Sequence, residues 1–248
     1  MTALLVDLGN SLWKMTHAGD TEFAEVVAGR YDELSELYSA LAHYEQPVDS
    51  VWLASVVDPD RTHSVVEALR RSLVVEVREV RSTDPMPNLV SGYRKPEQLG
   101  IDRLLAMVAA RACTQAPLCV VDAGTAVTID FVDGSGQHLG GFILPGRRLF
   151  RQCLLDNTSI PRDEELDEPA TLGRDTPTAV ALAGRYAVIG IVEHFVADPQ
   201  LLFSGARAHT FVGGGDADQF LSDLPPPCNK LDHLVLRGLA VMAAGGGS

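Results

Sequence analysis

The chain has 248 residues, of which 46% are hydrophobic and 21% charged, a composition typical of a globular protein with a sizeable core. The formal net charge of −13 argues against a general affinity for nucleic acid or anionic membranes, which bind clustered positive charge. Because the four cysteines form no C-x-x-C pair, and we find no signal segment or apolar run of membrane-spanning length, we predict reduced thiols and a cytoplasmic location.

Apolar runs and turn residues predict alternating strands and helices in the first half of the chain. The predicted strands are 3–7, 12–17, 50–57 and 73–80, and the predicted helices are 32–45 and 58–72. Residues 82–96 hold several prolines and predict an irregular surface loop. An apolar helix then runs from about Gly100 to Ala112, and Gln115-Ala116-Pro117 ends it.

The second half repeats the alternation. We predict strands at 118–122, 126–132, 138–144 and 209–212, helices at 147–155, 176–197, 216–223 and 231–244, and a loop at 156–175. Strands that alternate with helices in both halves predict an α/β fold. We therefore divide the chain into two domains, 1–115 and 116–248.

Two turns of similar sequence follow the first strand of each half. They are Asp7-Leu8-Gly9-Asn10-Ser11 and Asp122-Ala123-Gly124-Thr125-Ala126. Glycine allows a ligand phosphate to approach the backbone, hydroxyl and amide side chains donate to its oxygens, and a carboxylate can hold a cation. Either turn alone fits an ordinary hairpin, but two copies in two halves favour a shared phosphate site.

Three further segments each have a structural and a functional interpretation. Asp102 is either a carboxylate that stabilises a helix N-terminus or a general base beside Arg103. Gly213-Gly214-Gly215 is either a connector or a surface for a nucleotide, and Thr176 is an N-cap or a ligand. The P-loop, G-x-G-x-x-G, H-E-x-x-H and G-x-S-x-G motifs are absent, which excludes the commonest ATPase, dehydrogenase, zincin and α/β-hydrolase signatures.

Together these motifs resemble the type III pantothenate kinase family, of the acetate/sugar kinase–Hsp70–actin superfamily. The matching segments follow the family's order along nearly the whole chain. They are Asp7-Leu8-Gly9-Asn10-Ser11-Leu12-Trp13-Lys14, Gly100-Ile101-Asp102-Arg103, Asp122-Ala123-Gly124-Thr125-Ala126, Gly140-Gly141-Phe142-Ile143-Leu144-Pro145-Gly146, Leu172-Gly173-Arg174-Asp175-Thr176, Gly213-Gly214 and Leu234-Val235-Leu236-Arg237-Gly238-Leu239. The G-x-D-R and D-x-G-T-A segments are the most specific.

The resemblance implies two actin-like (ribonuclease H-like) domains, each a mixed sheet flanked by helices, with the active site in the cleft between them. It implies ATP-dependent phosphorylation of pantothenate to 4'-phosphopantothenate, the first step of coenzyme A biosynthesis, by a homodimer. Carried over residue by residue, it makes Asp102 the catalytic base and Asp122 the ligand of a monovalent cation, potassium or ammonium. The implied pantothenate ligands are Tyr93, Gly100, Ile101, Asp102, Arg103 and Thr176, and the implied ligands of Mg-ATP are Asp7, Leu8, Gly9, Asn10, Ser11, Leu12, Trp13, Lys14 and Thr125.

The chain also departs from the family pattern at a few positions. Ser11 replaces the more usual threonine and keeps the hydroxyl, and Gly215 adds a third glycine to the Gly213-Gly214 segment. Arg147 and Arg148 add positive charge, and the sequence assigns them no role. Two alternatives remain: an ATP-binding regulatory protein on the same scaffold, and a kinase of another small hydroxylated acid.

Overall fold

A computed structural model describes residues 2–19, 23, 25–30, 34–42, 47–160 and 171–245. The strands in these ranges are β1 (Ala3–Leu8), β2 (Leu12–His17), β3 (Val26–Arg30), β4 (Ser50–Ser55), β5 (Glu76–Glu79), β6 (Leu118–Ala123), β7 (Ala126–Val132), β8 (His138–Pro145), β9 (His209–Gly213) and β10 (Cys228–Lys230). The α-helices are α1 (Leu34–Ala42), α2 (Pro59–Leu73), α3 (Ile101–Cys113), α4 (Arg147–Asn157), α5 (Thr176–Val196) and α6 (Leu234–Gly245). The middle of the predicted loop 156–175 lies outside the described residues.

The chain forms two compact units with the same sheet topology. The first comprises residues 1–113 and 233–248, and the second comprises residues 114–232. Strand order is β3-β2-β1-β4-β5 in the first sheet and β10-β9-β6-β7-β8 in the second. In each sheet the central strand pairs antiparallel with the next strand of its hairpin and parallel with the strand on its other side. The mixed sheets predicted from the family resemblance are therefore present.

Alternation along the central strands fixes which side chains enter each core. Leu4, Val6 and Leu8 of β1 join the cluster that contains Leu37 of α1 and Leu69 of α2. Because successive strand residues point to opposite faces, Asp7 lies on the other face of this sheet. The second unit repeats this arrangement, since Cys119, Val121 and Ala123 of β6 pack with Val188 and Val192 of α5. Asp122 consequently lies on the face opposite α5.

The division into units differs from the predicted domains at the C-terminus. Helix α6 belongs to the first unit, where it packs on α3 and also contacts β1 and β4. A Cβ atom at Gly238 would lie 2.3 Å from the carbonyl oxygen of Leu105, so the two helix backbones approach closely there. The predicted boundary of 116–248 is therefore wrong for this last helix, because an apolar face alone does not specify its partner.

Most predicted elements are present, but one predicted helix is wrong. Instead of a helix at 216–223 there is a 3-10 turn at Ala217–Gln219. Phe220 and Leu224 are buried in the core of the second unit, so side-chain packing holds this segment in an irregular path. Strands β3 and β10 were not predicted, and β10 is only three residues long.

By length and mean hydropathy alone, α5 could cross a membrane. This differs from the expectation that no apolar run is long enough, although Arg185 interrupts the run. Arg185 donates from Nε to the carbonyl oxygen of Gln219 at 3.0 Å and pairs with Asp223. One side of α5, with Val188 and Val192, packs on the second sheet, as the core helix of a globular unit does.

Candidate active site

The turn that follows β1 buries its carboxylate and exposes its polar tip. Asp7 is 7% exposed, whereas Asn10 is exposed and Ser11 is half-buried. Lys14 stands opposite Asp7 in the β1–β2 register. The backbone N–H of Gly9 donates to the carbonyl oxygen of Leu12 at 3.1 Å, so this amide closes the turn. The side chains of Asn10 and Ser11, rather than the glycine amide, are therefore the donors that this turn offers to an anion.

The turn that follows β6 has the same plan. Asp122 is the fifth residue of its six-residue strand, as Asp7 is of β1, and stands opposite Thr128 on the antiparallel partner. The N–H of Gly124 donates to the carbonyl oxygen of Ala126 at 3.0 Å, which again closes the turn. Asp122 and Thr125 are half-buried. The two units thus present equivalent strand-end carboxylates, each followed by a tight turn.

Two glycines from distant segments support the Asp122 turn. A Cβ atom at Gly146 would lie 2.2 Å from the carbonyl oxygen of Gly124 and 2.6 Å from that of Thr125. The N–H of Gly146 donates to the Thr125 carbonyl oxygen at 3.0 Å. Gly214 has φ +89, and its Cβ atom would lie 2.3 Å from the carbonyl oxygen of Ala123. A side chain at Gly146 or Gly214 would collide with the backbone of the turn, which is packed against other backbone on two sides.

Asp102, Arg103 and Tyr93 form a second polar cluster, in the first unit. The backbone N–H of Arg103 donates to Asp102 Oδ1 at 2.8 Å, which orients the carboxylate at the start of α3. The guanidinium of Arg103, whose residue is only 5% exposed, donates from Nη1 to the Tyr93 hydroxyl at 2.7 Å. Its Cζ atom also lies 5.5 Å from the centroid of the Tyr93 ring. A buried cation therefore fixes the irregular loop of 82–96 beside a half-buried carboxylate.

The glycine of the G-x-D-R segment makes room for that carboxylate. A Cβ atom at Gly100 would lie 2.4 Å from Asp102 Oδ1, closer than nonbonded atoms approach. The carbonyl oxygen of Gly100 accepts from the N–H of Leu104 at 3.1 Å, which starts the helix. Gly100 thus permits Asp102 to fold back toward the helix N-terminus, where a negative charge is favoured.

Several residues predicted to bind ligands have buried side chains. The side chains of Leu8 and Trp13 are fully buried in the first unit, and Ile101 is 7% exposed. A ligand could therefore contact these residues only through backbone atoms. The exposed side chain of Leu12 and the half-buried Lys14 remain accessible.

Thr176 is not the N-cap of α5. Asp175 takes that role, because its Oδ1 accepts from the N–H of Thr178 at 2.8 Å. This hydrogen bond from the Thr178 backbone lowers the pKa of Asp175 below its usual range. Thr176 is the first residue of the helix and is exposed.

The donor set suits hard cations that share their coordination with a substrate. Within the described ranges, no group of three or more His, Cys, Asp or Glu side chains is arranged to hold a metal ion. Magnesium in phosphoryl-transfer sites needs only one or two carboxylates together with substrate phosphates and water. Single carboxylates such as Asp7 and Asp122 fit that mode of binding, whereas they would not hold a structural zinc.

Sequence reasoning missed one buried titratable pair in the second unit. His138 Nε2 lies 3.0 Å from Asp130 Oδ1, and the two residues are 1% and 2% exposed. Asp130 lies on the same face of the sheet as Asp122. It stands opposite Val120, and Val120 is two positions before Asp122 on β6, so their side chains point the same way. The alternating pattern of the β7–β8 hairpin was the available signal, but a scattered histidine gives no hint of its partner.

The duplicated mixed sheet, with a strand-end carboxylate and a tight turn in each copy, is the architecture of the actin-like fold. Solved structures agree on the fold. A chain described as a Baf family transcriptional activator from Campylobacter jejuni matches with a TM-score of 0.62 and 19% identity, covering 99% of this chain and 100% of that one. The ethanolamine utilization protein EutJ from Carboxydothermus hydrogenoformans matches with a TM-score of 0.53 and 14% identity, covering 97% and 89%.

Sequence relatives identify the family within that class. The family model described as type III pantothenate kinase matches residues 3–198. A type III pantothenate kinase from Ectopseudomonas mendocina is 36% identical over 245 residues, covering 96% of this chain and 97% of that protein. One from Dichelobacter nodosus is 35% identical over 231 residues, covering 90% of each. The chain belongs to the type III pantothenate kinase family.

Proposed function

We propose that this chain transfers the γ-phosphoryl group of ATP to the primary hydroxyl of pantothenate, the first step of coenzyme A biosynthesis. The observation that carries the proposal is the cluster of Asp102, Arg103 and Tyr93, in a chain whose family acts on this substrate by name. The oriented carboxylate and the adjacent buried guanidinium are what an acid substrate with a reactive hydroxyl requires.

Asp102 is the proposed general base. Its carboxylate accepts the proton of the pantothenate hydroxyl as that oxygen attacks the γ-phosphorus. The bond between the γ-phosphorus and the bridging oxygen breaks, and ADP leaves with that oxygen on its β-phosphate. Oδ1 accepts from the Arg103 N–H, which orients the carboxylate that would take the proton. Arg103 and Tyr93, with Gly100, Ile101 and Thr176, are the proposed pantothenate ligands.

The two turns are the proposed phosphate ligands. The side chains of Asn10, Ser11, Lys14 and Thr125 would donate to phosphate oxygens. Phosphoryl transfer depends mainly on positioning and on neutralising charge, so these donors can supply much of the catalysis. Asp7 and the backbone of the β1 turn complete the proposed ATP ligands.

Asp122 is the proposed ligand of a monovalent cation. Bound there, potassium or ammonium would offset phosphate charge. The half-buried carboxylate at the end of β6, in a turn held by Gly146 and Gly214, supports this proposal. The chain's own contribution is a rigid oxygen ligand beside Thr125.

A coupled kinase assay with pantothenate tests the function and the cation together. We expect ADP release that requires pantothenate and that rises when potassium or ammonium replaces sodium. In Asp122→Ala the response to potassium should disappear, because the carboxylate that holds the cation is gone. We expect a fall in the potassium-supported rate of about tenfold or more, equivalent to at least one lost charge-assisted contact.

Asp133→Ala is the matched control, since Asp133 is a turn carboxylate of the same unit whose Oδ1 caps the β7–β8 turn through Ser135 and Gln137. It should keep the potassium response. Turnover of another hydroxylated acid without turnover of pantothenate would refute the substrate. Equal potassium activation of Asp122→Ala and the parent protein would refute the cation site.

A regulatory role without catalysis is the second candidate, but the site argues against it. The Campylobacter jejuni structure shares the fold at 19% identity, and such a likeness carries no activity. Asp102 and Arg103 keep the carboxylate and the guanidinium in an ordered arrangement. ATP binding by the purified protein without phosphorylation of pantothenate would favour the regulator.

A homodimer is also part of the proposal, and strand β8 supports it. β8 is the last strand of its sheet, with no further strand paired to it among the described residues. Leu139, Phe142 and Ile143 of this strand are 40%, 39% and 64% exposed. An open edge that carries apolar side chains tends to be covered by another chain.

Light scattering should therefore give twice the chain mass of 26.6 kDa. We expect Ile143→Lys to shift the protein toward the monomer, because a buried charge opposes association. Val74→Lys is the control: Val74 is 86% exposed at the end of α2, and its substitution should leave the mass unchanged. A monomeric parent protein, or a dimer unaffected by Ile143→Lys, would contradict this assignment.

The proposed location is the cytoplasm. Cys113, Cys119, Cys153 and Cys228 are all free thiols. Burial raises the pKa of the Cys119 thiol, so that residue is a protonated packing group. Free thiols and ATP as the proposed phosphoryl donor both fit a reducing compartment.

A further inference from the structure

A cavity lined by arginines lies against α4 in the second unit. It measures about 230 Å³ and is bordered by Arg147, Arg148, Arg151, Gln152 and Asp216. A volume of roughly 10–15 Å³ suffices for one ordered water, so this cavity has room for a larger polar group. Three guanidinium groups against one carboxylate make its lining positive, in a chain whose net charge is −13.

The first turn of a helix such as α4 is an unfavourable position for positively charged side chains. Arg147 and Arg148 occupy the first turn of α4, which has no acidic residue and whose N-cap, Gly146, supplies no side-chain hydrogen bond. Positive charge near a helix N-terminus opposes the macrodipole. Arg147 and Arg151 are also four residues apart on one face, where like charges repel. An anion in the cavity would be attracted by this concentration of positive charge.

We propose that this cavity binds a phosphate-bearing anion, held by the guanidinium groups of Arg148 and Arg151 with Arg147 beside them. Planar guanidinium forks match the oxygens of phosphate and give the strongest hydrogen bonds that side chains offer to it. Gln152 is held by Asp156, since its Nε2 lies 2.8 Å from both carboxylate oxygens. The side wall next to Arg148 is therefore ordered before any ligand arrives.

The site goes beyond the proposed kinase reaction, which assigns no role to these arginines. Two sources of the anion share the chemistry. One is a phosphate group of ATP, because Asp216 on the cavity wall directly follows the Gly213-Gly214-Gly215 segment and its N–H donates to the Ala123 carbonyl oxygen at 3.0 Å. The other is a free phosphate that binds independently of the nucleotide.

Inorganic phosphate and pyrophosphate are the probes, measured by calorimetry and by the rise in Tm of the full chain in a chloride buffer of constant ionic strength. We expect saturable binding with a Tm rise that follows ligand occupancy. In Arg148→Ala the affinity should fall about tenfold or more, as expected when one charge-assisted contact is lost. Arg71→Ala is the matched control, because Arg71 is an 81% exposed arginine on α2 of the other unit.

ATP kinetics separate the two sources. If the anion belongs to ATP, pyrophosphate competes with ATP and Arg148→Ala raises the KM for ATP. If it is a free phosphate, Arg148→Ala lowers the affinity for phosphate by about tenfold or more while the KM for ATP stays unchanged. Equal phosphate affinity and an equal KM for ATP in Arg148→Ala, Arg71→Ala and the parent protein would overturn the proposal. Because binding is read without catalysis, an inactive enzyme that still binds phosphate through Arg148 leaves this inference standing and refutes only the proposed function.

Discussion

Asp102→Asn should lower kcat for pantothenate phosphorylation by about 10²–10⁴-fold, the usual contribution of a general base. The amide has the shape of the carboxylate, and its oxygen can still accept from the N–H of Arg103, now 2.8 Å from Oδ1. What it loses is the ability to take a proton. The KM for ATP should therefore change little, since Asp102 makes no proposed contact with the nucleotide.

Asp60→Asn separates this chemistry from helix stability. Asp60 is the acidic residue in the first turn of α2, as Asp102 is in the first turn of α3. Each substitution removes a charge that favours a helix N-terminus, worth about 0.3–1 kcal/mol. Similar small losses in Tm with a large loss of kcat only in Asp102→Asn would support the assignment. Undiminished kcat in Asp102→Asn protein would rule out Asp102 as the base.

The sequence predicted the two sheets because their strands are strongly patterned. The runs around Val6 and Val121 are apolar, end in a carboxylate and are followed by glycine turns, so both central strands were located within one or two residues. Helices α2, α3 and α5 were likewise predicted from apolar spacing and turn residues. Periodic local patterns carry this information, and no tertiary contact is needed to read them.

The features that the sequence did not predict depend on contacts between distant segments of the chain. The apolar face of α6 predicted burial, but only packing of Gly238 against the Leu105 backbone assigns the helix to the first unit. The segment at 216–223 has helix-forming residues, yet eight residues are too few for a helix to be stable alone. Core burial of Phe220 and Leu224 then decides its path.

The sequence likewise predicted some features of the candidate site and missed others. The resemblance identified Asp102 and Arg103, but nothing in the sequence indicated that the Arg103 guanidinium would be buried against the Tyr93 hydroxyl. Leu8 and Trp13 were predicted as ligands because they lie within a motif, although their alternation in β1 and β2 already directs them into the core. A motif indicates which segment of the chain lies near the ligand, whereas strand periodicity determines which of its side chains can reach that ligand.

Gly146→Ala should damage both stability and activity, because Gly146 holds the Asp122 turn by direct backbone contact. The added methyl would sit 2.2 Å from the Gly124 carbonyl oxygen and 2.6 Å from that of Thr125, so the turn or the start of α4 must move. Overpacking of this kind costs about 1–3 kcal/mol. For a chain of this size that corresponds to a Tm loss of roughly 2–12 °C.

The activity of the same variant reports where the displacement goes. Misplacing reacting groups by about 1 Å costs on the order of 10²-fold in rate, and Thr125 and Asp122 belong to the moved turn. We therefore expect kcat/KM for ATP to fall by about that factor, with a weaker response to potassium. Circular dichroism and Tm confirm that the variant is folded at the assay temperature.

Gly190→Ala is the matched control, with an effect of opposite sign. Gly190 lies within α5, and a Cβ atom there meets nothing within 4 Å. Alanine is favoured over glycine inside a helix by roughly 0.5–1 kcal/mol, so this variant should gain Tm and keep its activity. A Gly146→Ala protein as stable and as active as the parent would show that the close approach to the Asp122 turn does not constrain the site. A stability loss without any change in kcat/KM would place the movement in α4, away from the phosphate ligands.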